Sequence, residues 1–318
     1  MSSVEPAATA STALASALAD TADAVEVLLD ALLRDEPATG ELHRPARLLA
    51  AMRHGALAGG KRLRPFLVAE TAKLFGVPRE RALRAGVAVE LAHCYSLVHD
   101  DLPAMDDDEI RRGRPTVHKA FDDATAILAG DALLTLAFDV IAGPQTHPDG
   151  ATRADIVLIF ARALGLGGMA GGQMLDLAAE GRFDGESRPA ALGEADIRRM
   201  QAMKTGALLA GSVLIGARLG QADAAQTAAL ERYGRALGAA FQVADDILDR
   251  EASPEEMGKA TAKDESRGKA TLVTALGLAG AKRERDRLSE EAIAALAGFG
   301  PEAQMLRAAA EFTARRKS

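Results

Sequence analysis

The sequence is short of the residues that mark several classes of protein. It has no tryptophan, and Cys94 is its one cysteine in 318 residues. A single cysteine excludes a disulfide framework and a Cys-rich zinc site, and it is typical of a reducing compartment. No run approaches the roughly 18 apolar residues of a membrane span. Signal and transit peptides begin with a basic region, whereas this sequence has no Lys or Arg before Arg34. We therefore expect a cytoplasmic protein without a membrane span.

The charge balance argues against a nucleic-acid partner. The net charge of −7 opposes a general attraction to phosphate backbones. Apolar residues make up 48% of the chain, and a chain of this length can bury a sizeable core. Residues 1–20, rich in Ala, Ser and Thr, predict a mobile N-terminal arm, and residues 21–318 predict a single domain.

The apolar residues recur with the period of a helix. Leu83, Val87, Leu91, Cys94 and Val98 follow one another at steps of three or four, and no clean alternation of strand type is found. The helical segments are separated by breaks rich in Gly, Pro, Asp and Ser, at 35–45, 76–79, 143–152, 181–195, 250–270 and 296–302. These features predict an all-α helical bundle, with 250–270 as a mobile loop.

Acidic residues occur inside two strongly apolar segments. Asp100 and Asp101 follow a run that includes Leu97 and Val98, and Asp106 comes shortly after them. Pro103 prevents an undisturbed helix through the motif. A helix end or bulge there would bring Asp106 back to the side of Asp100.

The second acidic segment is Asp245-Asp246-Ile247-Leu248-Asp249. Asp245 and Asp249 are four residues apart and share a helix face, with Gln242 beside them. Carboxylates on buried helices need compensation, because an isolated buried charge costs several kcal/mol. All-oxygen carboxylate sites suit Mg²⁺, which commonly accompanies a phosphate-bearing ligand.

Clusters of basic residues accompany the acids. They are Lys61, Arg62 and Arg64; Arg111, Arg112 and Arg114; Lys204; and Lys259, Lys263 and Lys269. Arg reads phosphate oxygens with a bidentate fork and Lys acts as a point charge. The pattern predicts a site for two polyanions, one bridged by metal and one held by cations.

The motifs together closely resemble those of the trans-prenyl diphosphate synthases, the polyprenyl synthetase family, and most closely its bacterial farnesyl diphosphate synthases. The resemblance runs from about residue 45 to the C-terminus. Asp100–Asp106, with four residues between the acids, is similar to the first Asp-rich motif, and Asp245–Asp249 to the second. The accessory motifs are Gly60-Lys61-Arg62-Leu63-Arg64-Pro65, Arg111-Arg112-Gly113, Gly130-Asp131-Ala132-Leu133-Leu134, Gly171-Gly172-Gln173, Lys204-Thr205 and Phe241-Gln242.

This resemblance implies an all-α fold around a deep central cavity, and a homodimer. The implied reaction is the head-to-tail condensation of isopentenyl diphosphate with dimethylallyl and geranyl diphosphate, assisted by three Mg²⁺ (Mn²⁺ as a substitute). The implied metal ligands are Asp100, Asp106 and Asp245, with Asp101 and Asp249 assisting directly or through water. The residues implied to hold the allylic diphosphate are Arg111, Lys204, Thr205, Gln242, Lys259 and Lys269. Those implied to hold isopentenyl diphosphate are Lys61, Arg64, His93 and Arg112.

The product length is expected to depend on Tyr95 and Ser96. They lie five and four residues before Asp100, about 6 to 8 Å along a helix. In the family, an aromatic residue here together with the longer first motif accompanies a C15 product. The sequence departs from the family at Ala262, where a second glycine is usual, and this puts the role of Lys263 in doubt.

Other functions are compatible with parts of the pattern. A geranyl or geranylgeranyl diphosphate synthase would differ only in product length. His99-Asp100 is also a dipeptide of helical metal-dependent phosphohydrolases, with His93 and His118 as further ligand candidates, but that interpretation leaves Asp245–Asp249 unexplained. A non-catalytic synthase subunit would typically lack one acidic motif, and a terpene cyclase would not need the second diphosphate site.

Overall fold

The computed structural model describes residues 5–183, 192–251 and 271–315, with side chains from Thr12 onward. The predicted all-α class is confirmed. The helices are α1 (Glu5–Leu32), α2 (Ala46–Ala56), α3 (Leu63–Lys73), α4 (Arg79–Asp100), α5 (Val117–Ala120), α6 (Asp123–Ala142), α7 (Gly150–Leu164), α8 (Met169–Ala179), α9 (Glu194–Gln201), α10 (Ala207–Leu219), α11 (Ala224–Glu251), α12 (Leu272–Ala295) and α13 (Gln304–Arg315). A π-helical segment, Ala202–Gly206, joins α9 to α10, and a short 3₁₀ helix, Pro301–Ala303, precedes α13.

Within these ranges the β structure is one small hairpin. Strands β1 (Ile110–Arg111) and β2 (Arg114–Pro115) pair antiparallel, with Ile110 opposite Pro115. The two turn residues, Arg112 and Gly113, both have positive φ, at 52° and 73°. Such a turn matches the twist of the strands it joins. The hairpin places Arg111, Arg112 and Arg114 directly after the first acidic motif.

Most of the predicted breaks separate helices in the structure. The break at 35–45 lies between α1 and α2. The break at 76–79 runs to the first residue of α4, and that at 143–152 follows the end of α6 and includes the start of α7. The expected mobile loop at 250–270 lies outside the described residues from 252 onward. Helix α1 starts at Glu5, and Leu14 and Leu18 on it are buried. The mobile arm at 1–20 and the single domain stay predictions.

The chain folds as two compact units. The N-terminal unit comprises Ala15–Ala69 and Val77–Val157 and carries the first acidic motif. The C-terminal unit comprises Met1–Leu14, Glu70–Gly76 and Leu158–Ser318 and carries the second.

In the N-terminal unit, the core forms where α4 packs on α6. The predicted stripe of α4 is buried, with Val87 and Leu91 fully inaccessible to solvent. The helices approach closely because α6 has a glycine at the contact. A Cβ on Gly130 would lie 2.1 Å from Nε2 of His99. This approach lets the His99 ring bond to the carbonyl of Ile127 at 3.0 Å.

In the C-terminal unit, α11 packs against α10 and α12. Leu230, Tyr233 and Leu237, which the helical period places on one stripe, are fully buried. The Tyr233 hydroxyl donates to the carbonyl of Leu306 at 2.8 Å, so its polar end is satisfied. Val243 belongs to the core cluster that supports the helix bearing the second acidic motif.

Among the described residues, three helical stretches are long and apolar enough to cross a membrane by length and composition alone: Asp123–Ala142, Gly150–Ala179 and Glu194–Leu219. None of them contains 18 uninterrupted apolar residues, which is why the sequence predicted no span. In the last of the three, 61% of the apolar 18-residue window is buried within the protein. The absence of a membrane span therefore stays a prediction.

A buried ion pair fixes the loop before α3. Arg62 has a positive φ of 47° and is 3% exposed. Its guanidinium donates to Glu90 at 2.7 Å, to Glu26 at 2.9 Å and to the carbonyl of Ala56 at 2.8 Å. Because Glu90 is also buried, removing one partner would leave the other charge without compensation.

We predict that Arg62→Met lowers the free energy of unfolding by about 3 kcal/mol, since it leaves Glu90 as an uncompensated buried charge. The matched control is Arg287→Met, because Arg287 also bridges two carboxylates, Glu284 and Glu291, but is exposed. Urea denaturation at pH 7 measures both. An exposed pair contributes about 0 to 1 kcal/mol, so equal losses in the two variants would contradict the prediction.

Candidate active site

The first acidic motif turns back on itself at the end of α4. The helix ends at Asp100, and the amide of Asp106 donates to the carbonyl of Asp100 at 2.8 Å. Asp107 takes a positive φ of 50°, which tightens the turn. The predicted helix end and the return of Asp106 to Asp100 are confirmed. Both of these acids are half-buried, so their carboxylates are reachable by a ligand.

The second acid of this motif has a different environment. Asp101 is 3% exposed; its Oδ1 accepts a hydrogen bond from Nε of Arg111 at 2.7 Å and lies 2.6 Å from Nη2 in the same ion pair. Burial raises the pKa of Asp101, and the adjacent guanidinium of Arg111 works against that rise. The structure therefore places the Asp101 carboxylate on Arg111, at the start of the hairpin.

Positive charge gathers around His93 on the same helix. Its pKa lies well below the usual range, because burial removes hydration and because Arg64, then Arg112, add positive charge nearby. His93 is thus neutral at pH 7. Three of the four residues predicted to hold isopentenyl diphosphate are brought together here; the fourth, Lys61, is exposed on the loop before α3.

A glycine turn makes room for one of these arginines. Gly60 has a positive φ of 127°, and a Cβ there would lie 2.9 Å from Nη1 of Arg112. Arg112 also donates to the carbonyl of Gly59. A larger residue at position 60 would displace the guanidinium, so the Gly-Gly pair positions Arg112 as well as the chain that follows it.

A small open cleft lies beside these groups. Its lining includes Asp101, Arg111 and Arg112, together with His54 of α2. Leu97 and Val98 supply apolar wall, with the remaining lining from the hairpin and α2. The cleft thus combines basic side chains with an apolar wall.

The two residues expected to set product length are both half-buried on α4. The Tyr95 ring meets the His99 ring edge to face, with centroids 5.7 Å apart. Burial, and secondarily the charge of Asp100, raises the pKa of Tyr95, so its hydroxyl stays protonated. The Ser96 hydroxyl donates to the carbonyl of His93 at 2.9 Å. The bulk at this point is therefore the Tyr95 ring.

The second motif lies near the end of α11. Asp245 is half-buried and Asp249 is exposed, whereas Asp246 is 6% exposed. The Asp246 carboxylate accepts from Nε2 of Gln201 at 2.8 Å, from the amide of Leu272 at 3.0 Å and from Nε2 of Gln242 at 3.2 Å. Burial raises the pKa of Asp246, and the three hydrogen bonds oppose the rise. Gln242 is thus bound to the motif itself.

Lys204 and Thr205 lie in the π-helical segment between α9 and α10. Nζ of Lys204 donates to Oδ2 of Asp176, on α8, at 2.5 Å. The two backbones touch here: a Cβ on Gly172 would lie 2.1 Å from the Lys204 amide nitrogen. Such π-helical turns are frequent at functional sites, and this one is held against α8 by a glycine and an ion pair.

Sequence reasoning missed several polar residues of this region. The sequence pattern does not single out Asp176 or Gln201, although each is a polar residue in an otherwise apolar or buried stretch. Gln173 enters only as part of a motif. It is 9% exposed, and both its amide atoms are buried without a hydrogen-bond partner among the described residues. A buried unsatisfied amide costs free energy, and a water or ligand atom beside Gln173 would satisfy it.

Not every predicted residue can be placed. Lys259, Lys263, Lys269 and Ala262 lie outside the described residues. Across the described ranges, no three His, Cys, Asp or Glu side chains are set to hold a metal by themselves. Mg²⁺ is usually bound by one or two carboxylates and completed by substrate phosphates and water. The half-buried pair Asp100 and Asp106 fits that kind of site.

Comparison with known proteins identifies the family of this chain. The polyprenyl synthetase family model matches residues 45–305. The farnesyl diphosphate synthase of Escherichia coli is 44% identical over 77% of this chain and 80% of its own. The chloroplastic geranylgeranyl pyrophosphate synthase 9 of Arabidopsis thaliana is 40% identical over 82% of this chain and 71% of its own.

A solved structure of a related enzyme has a similar fold. The apo structure of an FPP/GFPP synthase from Zymomonas mobilis is similar with a TM-score of 0.83 and 40% identity, covering 95% of this chain and 99% of that one. The resemblance inferred from the motifs is confirmed by sequence and by fold. The protein belongs to the polyprenyl synthetase family and is a prenyltransferase.

Proposed function

We propose that the protein condenses isopentenyl diphosphate with dimethylallyl and geranyl diphosphate to make farnesyl diphosphate, a geranyltranstransferase activity. The observation that carries the proposal is the first motif: Asp100 and Asp106 meet at the end of α4, next to a cleft rimmed by Arg111 and Arg112. This arrangement suits a diphosphate held between carboxylate-bound metal and fixed cations. The similarity to farnesyl diphosphate synthases supports the same reaction.

The metal ligands proposed are Asp100, Asp106, Asp245 and Asp249. Mg²⁺ bound there would neutralise charge on the diphosphate oxygens as the allylic C–O bond breaks. The family resemblance puts the number at three per site and allows Mn²⁺ as a substitute. The reachable acids of both motifs supply the oxygen donors that such ions prefer.

Other residues of the chain would bind the diphosphate groups of the substrates. Arg111, Lys204, Thr205 and Gln242 hold the allylic diphosphate, with Lys259 and Lys269 proposed from the resemblance alone. Asp176 steers Lys204 through their 2.5 Å contact. Fixed cations of this kind stabilise the charge that develops on the leaving group. The allylic carbocation then takes the electron pair of the isopentenyl double bond, and the proton released passes to the departing diphosphate.

Isopentenyl diphosphate is assigned to Lys61, Arg64, His93 and Arg112. His93 is held neutral by burial and by its arginine neighbours, so it can donate one N–H without adding another buried charge. The assignment gives each of the two diphosphates its own set of basic residues. A terpene cyclase needs only one such set, and a phosphohydrolase would use neither.

The C15 product rests on Tyr95. Its half-buried ring stands on α4 against His99, before the metal end of the helix. A C20 product is the second candidate, because farnesyl and geranylgeranyl synthases are similar to this chain at nearly equal identity. The identity alone therefore does not select a length, and the ring is what favours C15.

A homodimer in the cytoplasm is proposed as the working form. Helix α6 exposes apolar side chains: Ile127 is 45% and Leu128 57% accessible. Contiguous exposed apolar surface on a helix is typical of an interface. Covering this face with a second copy explains the apolar character of α6 without a membrane.

The proposed reaction is tested by incubating the purified protein with Mg²⁺, isopentenyl diphosphate and dimethylallyl diphosphate, and sizing the prenyl product. We expect farnesyl diphosphate as the main product. Asp245→Ala should lower turnover by about 1,000-fold or more, because it removes a metal ligand, while circular dichroism stays unchanged. The control is Glu290→Ala, at an exposed acid of α12. Full activity in Asp245→Ala would refute the role of the second motif.

Tyr95→Ala should lengthen the product beyond C15, because it removes the ring that stops the growing chain. Tyr95→Phe is the matched control, since it keeps the ring and loses only the hydroxyl. Chromatographic sizing of the products measures both variants. An unchanged product profile in Tyr95→Ala would show that another residue limits the chain.

Leu128→Glu should convert the protein from dimer to monomer, because it places a charge in the proposed apolar contact. Sedimentation velocity at micromolar concentration measures the change. Val27→Glu is the control, because it places the same charge at an exposed apolar position of α1, outside the proposed contact. A monomeric wild-type protein, or a dimeric Leu128→Glu variant, would contradict the assigned interface.

A further inference from the structure

We propose that His54, on α2, is a positioning residue for the arginine hairpin, the segment formed by β1 (Ile110–Arg111), its turn and β2 (Arg114–Pro115). The imidazole would fix β2 and thereby the places of Arg111 and Arg112, to which the substrate diphosphates are assigned. The inference rests on the proposed function, and it concerns a histidine to which that function gives no part. All of the contacts that support it lie within the N-terminal unit.

Both ring nitrogens of His54 are bound to consecutive residues of β2. Nε2 lies 2.7 Å from the carbonyl oxygen of Pro115, and Nη2 of Arg114 lies 3.2 Å from Nδ1. A carbonyl oxygen only accepts, so Nε2 carries the hydrogen, and a guanidinium only donates, so Nδ1 presents its lone pair. The two partners therefore select the neutral imidazole with its hydrogen on Nε2.

Packing fixes the plane of the His54 ring. The ring meets that of Phe121 at 78°, with centroids 5.9 Å apart, and edge-to-face contact of this kind is a favoured geometry. The guanidinium of Arg47 lies 5.5 Å from the centre of the Phe121 ring and is itself bound to Asp122 at 2.5 Å. The two nitrogens of the imidazole therefore point in defined directions.

The backbone next to the imidazole is also closely packed. A Cβ on Gly55 would lie 2.8 Å from Cγ2 of Val98, on α4, and 3.4 Å from Cγ2 of Val117, the first residue of α5. Glycine lets α2 approach α4 this closely because it has no side chain. His54 thus extends to the hairpin from a helix that is seated on α4, the helix that leads into the first acidic motif.

The hairpin has other attachments in β1 and the turn. Arg111 is bound to Asp101, and Arg112 donates to the carbonyl of Gly59. His54 supplies an attachment for β2, so α4 and α2 hold different strands. Because the strands are hydrogen-bonded to each other, a shift of β2 would be passed on to Arg111 and Arg112.

The charge pattern of the hairpin requires a neutral partner for Arg114. Arg111 and Arg114 are opposite each other in the strand pairing, so their side chains lie on the same face. Like charges in such a pair are destabilising. Asp101 compensates Arg111 at 2.7 Å, and the lone pair of His54 holds the Arg114 guanidinium towards α2. An acceptor fits this place, whereas a second donor would not.

Two substitutions separate the polar contacts of His54 from those of its ring. His54→Phe keeps a ring against Phe121 and loses both hydrogen bonds to β2. His54→Gln loses the ring but keeps a donor and an acceptor, which the amide, like the imidazole, carries on either side of one carbon. Glutamine should rescue a positioning residue, and phenylalanine should rescue a residue that only packs.

We expect His54→Phe to lower kcat/KM for isopentenyl and dimethylallyl diphosphate by about tenfold, because two hydrogen bonds are lost, and His54→Gln to stay within about threefold of wild type. Thermal unfolding identifies any variant that fails to fold. The control is His43→Phe, at an exposed histidine between α1 and α2, with wild-type kinetics. A wild-type kcat/KM in His54→Phe, or an equal loss in His54→Gln, would overturn the proposal.

A double-mutant cycle tests whether His54 acts through the hairpin. If it works by placing Arg112, His54→Phe should add little to the rise in the KM for isopentenyl diphosphate already caused by Arg112→Gln. A residue that acts independently of Arg112 would multiply the two effects. Multiplied effects would therefore overturn the positioning role.

The tautomer of His54 supplies a readout that needs no turnover. In spectra of protein labelled with ¹⁵N-histidine, the signals lost in the position-54 variants identify His54 among the six histidines. At pH 8 we expect ring nitrogen chemical shifts of an imidazole that carries its hydrogen on Nε2 alone. The opposite tautomer, or the averaged shifts of an exchanging ring, would overturn the inference whatever product the enzyme makes. A fixed Nε2–H ring in a protein that makes no prenyl product would refute the proposed function alone, so the two failures are distinguishable.

Discussion

The structure depends on how carboxylates are accommodated on apolar helices. An uncompensated charge in such surroundings costs several kcal/mol, yet α4 and α11 both carry aspartates next to core residues such as Val98 and Val243. The protein compensates some of these charges itself. Some acids are bound by its own donors, as Asp101 and Asp246 are. Asp100 and Asp245 are half-buried, and carboxylate oxygens of this kind are the donors that Mg²⁺ prefers.

Charge compensation also distinguishes the basic residues from one another. Arg62 is committed to Glu26 and Glu90, so it serves the loop and not a ligand. Its neighbours Arg64 and Arg112 instead lower the pKa of His93 together with burial. An excess of positive charge around a neutral histidine would be stabilised by a bound anion. Motif residues adjacent in sequence therefore divide into those that build the site and those that use it.

The sequence predicted the features that depend on local residue patterns. Helical period located the α4 and α11 stripes, and the proline in the first motif predicted the helix end that brings Asp106 to Asp100. The sequence did not predict contacts between residues that are far apart along the chain. Glu26 lies 36 residues from Arg62, and Leu272 lies 26 residues from Asp246. Nothing local distinguishes Asp246 from Asp245, because their difference arises only when α9 and α12 pack on one side of α11.

The reachable aspartates are assigned to hold metal and diphosphate together. Thermal unfolding of the wild-type protein with Mg²⁺, with inorganic diphosphate and with both tests this directly, since a ligand that binds only the folded state raises the melting temperature. We predict a clear rise with the two together that exceeds the sum of the separate shifts. Equal shifts with and without Mg²⁺, or no shift with both, would contradict the assignment.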